Sequence, residues 1–179
     1  MEGNTKYVWL LAMCVILMHN LNDAEVMRGK KLIEKICKDT PNVSLCLDVL
    51  TAGQGSANAT LSELAMISLK AAAENASDIL FDVKSMIDNP DLEPEIQQGL
   101  ADCKETLLDA QGQLEDTIAS ILAHSKRDAL IWLRAALAAI DTCDASIPGD
   151  DDILSRRSIG FRQLCKITVS ISKAMINGP

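Results

Sequence analysis

Apolar residues in this chain recur at steps of three and four over long stretches, and no sustained alternation of period two interrupts them, so the pattern predicts helices and no sheet. Leu61, Ala65, Leu69, Ala72, Ala76, Ile79, Val83 and Ile87 form one seam. Thr60 and Glu63 stand at capping-box spacing at its start, and Asn89-Pro90 ends it. A second seam, over about Leu92 to His124, runs through Ile96, Leu100, Cys103, Leu107, Ala110, Leu114, Thr117 and Ile121, with Gly99 and Gly112 as local weak points. Leu130, Leu133, Leu137 and Ile140 mark a third helix over Lys126 to Cys143. Gly160, Leu164, Ile167, Ile171 and Ala174 mark a fourth over Ile153 to Ile176, after an acidic turn at Asp150, Asp151 and Asp152. Four long amphipathic helices with short connections predict an all-α, antiparallel up-and-down four-helix bundle over residues 60–177. Before it, residues 25–52 read as a hairpin of two short helices broken at Thr40-Pro41, with a flexible linker at Ala52-Gly53-Gln54-Gly55-Ser56.

The start of the chain has a different pattern. Lys6 is followed by a 12-residue uncharged apolar run from Tyr7 to Met18, too short to span a bilayer and suited to the core of a signal peptide. Residues 1–24 are therefore expected to be removed and the protein secreted, leaving residues 25–179 as one domain with no membrane attachment. Hydrophobic residues make up 48% of the sequence and aromatics only 3%, a composition that suits helices rich in Ala and Leu. The net charge is −8, and loss of Glu2, Lys6 and Asp23 makes it −7, which disfavours nucleic acid and anionic membrane as partners.

Cys14 leaves with the signal peptide, so five cysteines remain in a setting that favours disulfides. A Cys37–Cys46 bond would close a short loop through Pro41. Cys103 and Cys143 occupy apolar helical positions from which they can staple two helices, with Cys165 left as a free thiol. Other pairings stay open, since any four cysteines allow three connectivities. No C-x-x-C pair occurs and the mature chain has one histidine, His124, so neither a metal nor another cofactor is expected. No nucleophile motif surrounds Cys165 or His124, and a narrow bundle offers no cleft for a carboxylate pair or a lipid, so an enzyme or a carrier is disfavoured. Sequons at Asn42, Asn58 and Asn75 are candidate glycosylation sites. Asp102, Glu105, Asp109, Gln113 and Asp116, at steps of three, four, four and three, line one stripe of the second long helix, either as a solvated face or as a docking surface.

Several of these segments together resemble the plant invertase and pectin methylesterase inhibitor family. They are Ile36-Cys37-Lys38-x-Thr40-Pro41 with Cys46, Leu100-Ala101-Asp102-Cys103-Lys104-Glu105, and Ala129 to Leu137 with Asp141-Thr142-Cys143. The resemblance spans residues 25 to 177. It implies the hairpin and bundle, disulfides Cys37–Cys46 and Cys103–Cys143, a free Cys165, and a secreted, apoplastic inhibitor that is not an enzyme. It further implies a monomer that occludes its target's cleft as a 1:1 complex. Two targets fit the family. Trp132-Leu133 and Asp141-Thr142-Cys143 are similar to the pectin methylesterase branch, in which the residue matching Thr142 contacts the esterase. The invertase branch carries a Pro-Lys-Phe tripeptide between the second and third bundle helices, and this chain has Ala123-His124-Ser125-Lys126-Arg127-Asp128 there. The segment Cys37 to Asn42, by contrast, looks like the invertase branch. The expected partner is thus pectin methylesterase, with cell-wall or vacuolar acid invertase as the alternative, and a further alternative is an inhibitor-like protein that acts in signalling without inhibiting. The expected interface is the Asp102–Asp116 stripe with Asp141 and Thr142, with Lys126 and Arg127 as the connection to search for an invertase target.

Overall fold

A computed structural model describes residues 27–149 and 154–178. The expected signal peptide and the acidic turn at Asp150 to Asp152 lie outside them. The hairpin consists of α1 (Gly29–Cys37) and α2 (Val43–Ala52), and a 3-10 turn (Ser56–Asn58) leads into the bundle. The bundle helices are α3 (Leu61–Ile87), α4 (Pro94–Leu122), α5 (Lys126–Ser146) and α6 (Ser155–Asn177). No strand occurs among the described residues.

Local chemistry sets the helix ends. Thr60 Oγ1 accepts from the Glu63 backbone N–H at 3.3 Å while the Glu63 carboxylate accepts from the Thr60 N–H at 2.7 Å, a complete capping box. Asn42 caps α2 by accepting from the Leu45 N–H, and Pro94 opens α4, where its missing N–H costs nothing. At the other end of α4 the chain reverses in three residues. His124 N–H donates to the Ile121 carbonyl and Ser125 N–H to the Ser120 carbonyl, while His124 itself sits at φ 58°. This is the double closure of a Schellman motif with histidine in the left-handed position that glycine usually fills.

The four long helices form a ring. α3 packs on α4 and α6, and α5 packs on the same two, so α4 and α6 lie diagonally across the bundle. The seam of α4 is buried at every position from Leu100 to Ile121, with Ile96 half-buried near the helix start. The core-facing lines of α5 and α6 differ from the sequence expectation. In α5, Ala129 and Ala136 share the core with Leu133, Ile140 and Cys143, while Leu130 and Leu137 are half-buried. Small side chains let α5 approach α4 closely, and the Cys103–Cys143 disulfide joins them at a Cα–Cα distance of 4.0 Å. In α6, Phe161 and Met175 enter the core in place of Gly160 and Ala174. Ser158, Thr168 and Ser172 are buried beside them, with Thr168 hydrogen-bonded to Ser68 of α3 at 2.8 Å. Ser158 and Thr168 find partners and so behave as core though they look polar in sequence, whereas Ser172 Oγ has no partner among the described residues.

The hairpin is seated on the bundle through Leu32, Ile33, Ile36 and Leu50, all buried, and is closed by the Cys37–Cys46 disulfide. Its connection to α3, which the sequence presents as a flexible linker, is exposed at Ala52, Gln54 and Gly55 and anchored at Gly53. Gly53 lies against the Ile67 side chain, where an added Cβ would come within 2.6 Å of Cδ1. Gly29, at φ 56°, donates its N–H to the Ala59 carbonyl at 3.0 Å.

Candidate functional site

The face between α4 and α5 gathers most of the residues singled out in the sequence. Antiparallel register is fixed by the Cys103–Cys143 bond, and Asp102 and Thr142 each immediately precede one of these cysteines. One turn beyond Thr142, Ser146 Oγ donates to the Gly99 carbonyl of α4 at 2.8 Å. Thr142, four residues earlier on the same side of α5, therefore flanks α4. It is exposed, with its hydroxyl donating back to the Ala138 carbonyl at 3.0 Å. Along α4, Asp102, Glu105, Asp109 and Asp116 are exposed and Gln113 is half-buried. Asp102 accepts from Gln98 at 2.9 Å and Glu105 pairs with Lys104 at 3.2 Å, so two of the four carboxylates already have a local partner. Gln113 Oε1 is buried without a hydrogen-bond partner among the described residues. By the same register it stands level with Leu133 and its neighbour Trp132, whose large ring is 39% exposed.

Two features of this face were not legible as site features in the sequence. Gly99, read there as a weak point, sits against the Ser146 carbonyl, and an added Cβ would fall 2.3 Å from that oxygen. The only sequence signal was a glycine inside an otherwise good helix. Trp132 belonged to a recognised segment, but its exposure depends on how α5 rotates against its neighbours.

The remaining expected interface residues point elsewhere. Asp141 is on the α6 side of α5, where Arg162 Nε donates to it at 2.7 Å while Arg162 Nη2 donates to Asp144 at 2.5 Å. Burial works against the Arg162 cation, and the hydrogen bonds and charges of Asp144 and Asp141 outweigh it, so its pKa rises above the ordinary value. Lys126 Nζ donates to the Met175 carbonyl at 2.6 Å and so caps the end of α6. Arg127 is exposed in the first turn of α5. The thiol of Cys165 is buried, and burial pushes its pKa up to about 12, which leaves it unreactive. Among the described residues no cluster of His, Cys, Asp and Glu is arranged to hold a metal, and no helix is long and apolar enough to cross a membrane. Of the sequon asparagines, Asn58 is exposed in the 3-10 turn. Asn42 is engaged as a cap, with its Nδ2 donating to Gln163 at 3.2 Å, and Asn75 is half-buried against Gly160 of α6.

The described residues thus form a disulfide-stapled bundle with a polar face across α4 and α5. Residues 31–171 match the family described as Plant invertase/pectin methylesterase inhibitor, and the chain belongs to that family. It is 26% identical to a pectinesterase inhibitor from Actinidia deliciosa, over 97% of this chain and 95% of that one. It is 24% identical to a Platanus acerifolia protein named as a candidate invertase inhibitor, over 90% and 91%. Its fold superposes on the crystal structure of a mutant form of a pectin methylesterase inhibitor from Arabidopsis with a TM-score of 0.68 and 27% identity, covering 79% of this chain and 95% of that one. The family is one of enzyme inhibitors, and the chain is an inhibitor and not an enzyme itself.

Proposed function

We propose that this protein is secreted and inhibits a pectin methylesterase by laying the α4–α5 face over the enzyme's substrate cleft in a 1:1 complex. The observation that carries this reading is the placement of Thr142 beside the Asp102–Asp116 stripe on one face, held by the Cys103–Cys143 bond. Such a face presents carboxylates, an amide and a half-exposed tryptophan without needing to order a loop on binding, which keeps the entropic cost of association low. A standard interface needs about 800 Å² from each partner, an area that two adjacent long helices supply. The tight α4–α5 turn supports esterase over invertase as the target. It is closed within Ala123, His124 and Ser125 and projects no tripeptide. In this reading Asp141 and Lys126 shape the face indirectly, through α6, and Asn58 is the sequon with room for a glycan.

Neutralising the stripe without changing its shape tests the proposal. In a titration of oxidised protein against a plant pectin methylesterase and an acid invertase, Glu105→Gln and Asp109→Asn together should weaken esterase inhibition by about tenfold or more, since charges at an interface act on affinity only when a partner covers them. Unchanged esterase inhibition by the double variant would sink the stripe as the interface. Inhibition of the invertase alone would move the target to the other branch.

A further inference from the structure

The fold separates charge. α4 carries six acidic residues and one basic, and diagonally across the bundle α6 carries five basic residues and no acidic one. The segment 27–42, which includes α1 on the outer side of α6, adds five basic residues against two acidic. Asp82 pairs with Arg157 of α6, and Asp141 and Asp144 with Arg162. Lys31, Lys35, Lys38, Lys166 and Lys173 are exposed and make no ion pair among the described residues. Lys31 and Lys35 share a face of α1 about one helical turn apart, roughly 6 Å, and Lys38 follows just past the helix end. Lys166 and Lys173 are seven residues apart on α6, two turns along one face.

Between α1 and the C-terminal half of α6 runs an open groove of about 340 Å³. Lys35 and Lys173 stand on its two sides, Ser170 and Asn177 add polar side chains, and Leu32 with Ala174 gives it an apolar floor. Asp39 is the one carboxylate that lines it.

We infer that the α1–α6 face binds a linear polyuronide, a polysaccharide bearing free carboxylates. Ammonium groups pair with the carboxylates, the hydroxyl and amide groups match sugar hydroxyls, and the aliphatic floor suits the C–H face of a sugar ring. The groove has no aromatic side chain on which a nucleobase could stack. The choice of polyuronide rests on the inhibitor reading, because removing methyl esters from pectin leaves such a chain. The two faces lie on opposite sides of the bundle, so the protein would be retained where esterase product accumulates while its inhibitory face stays free.

Binding of the secreted, oxidised protein to polygalacturonate, to fully methyl-esterified pectin, to single-stranded RNA and to phosphatidylserine vesicles tests this, with esterase inhibition measured in parallel. The expected result is binding to polygalacturonate alone, weakened by salt, and about tenfold weaker in Lys35→Glu/Lys173→Glu than in the parent. Lys70→Glu on α3, outside the groove, should bind as the parent does. Equal binding to esterified pectin, preference for RNA or vesicles, an unchanged affinity in the double variant, or occupation of the face by a second copy of the chain would each overturn the inference. Loss of polyuronide binding with inhibition intact defeats this inference and leaves the inhibitor reading standing. Polyuronide binding without inhibition of the esterase does the reverse.

Discussion

At the scale of single residues, two glycines in one helix have opposite roles. Gly99 lets α4 and α5 touch, with the Ser146 carbonyl where a Cβ would be, whereas Gly112 has nothing within 4 Å of its own Cβ position. Alanine at 112 should raise stability by about 0.5–1 kcal/mol, the ordinary gain in a helix interior. Alanine at 99 should lower stability by about 2 kcal/mol or more, because backbone must move or the disulfide-clamped contact must open. Denaturant titration of both variants checks this, and a stabilising Gly99→Ala would refute the close approach. From the sequence both glycines look like the same defect. What separates them is a carbonyl on another helix, 47 positions away in the chain.

At the scale of elements, α3 shows how far local sequence reaches. Its bounds follow from Thr60, Glu63 and the Asn89-Pro90 pair, and the observed helix begins and ends where the seam does. The Thr60 backbone N–H, and then its hydroxyl, hold the Glu63 carboxyl below its ordinary value of 4.5. A carboxyl lowered in the folded state stabilises at pH values above its unfolded pKa and loses that stabilisation as pH falls through the folded value. Glu63→Gln should therefore lower the thermal midpoint at neutral pH and converge with the parent in acid. Melting curves at pH 7 and pH 3 test the sign. A gap that stays constant with pH would place the effect in packing and not in the carboxylate. The helices α5 and α6 mark the limit of the same reasoning. Their start and end were nearly right, but which side faces inward was not fully legible. Ala129 and Ala136 outrank Leu130 and Leu137 because closeness to α4 favours small side chains, and Ser158, Thr168 and Ser172 hide in the core as hydroxyls.

For the whole molecule, the hairpin has too few apolar residues for a core of its own, and its buried side chains Leu32, Ile33, Ile36 and Leu50 are covered by the bundle. Hairpin and bundle should unfold together, as one thermal transition that coincides in far- and near-ultraviolet circular dichroism. A separate early transition would mean that the hairpin is only loosely attached. The amino-acid sequence alone determined the all-helical class, the element order and most of the α4 seam, because those depend on contacts within a few residues of each other. It also presented the Asp102–Asp116 stripe, since five side chains on one helix keep their order whatever surrounds them. Only the tertiary structure decided that Thr142 joins that stripe while Asp141 turns to Arg162 and Lys126 to the end of α6. It also decided that the linker is anchored at Gly53 and that Lys35 of α1 and Lys173 of α6 line one groove. Each of these depends on how one helix is rotated and set in register against another. That rotation is fixed by close packing and by a disulfide spanning 40 positions, information that no local stretch of sequence contains.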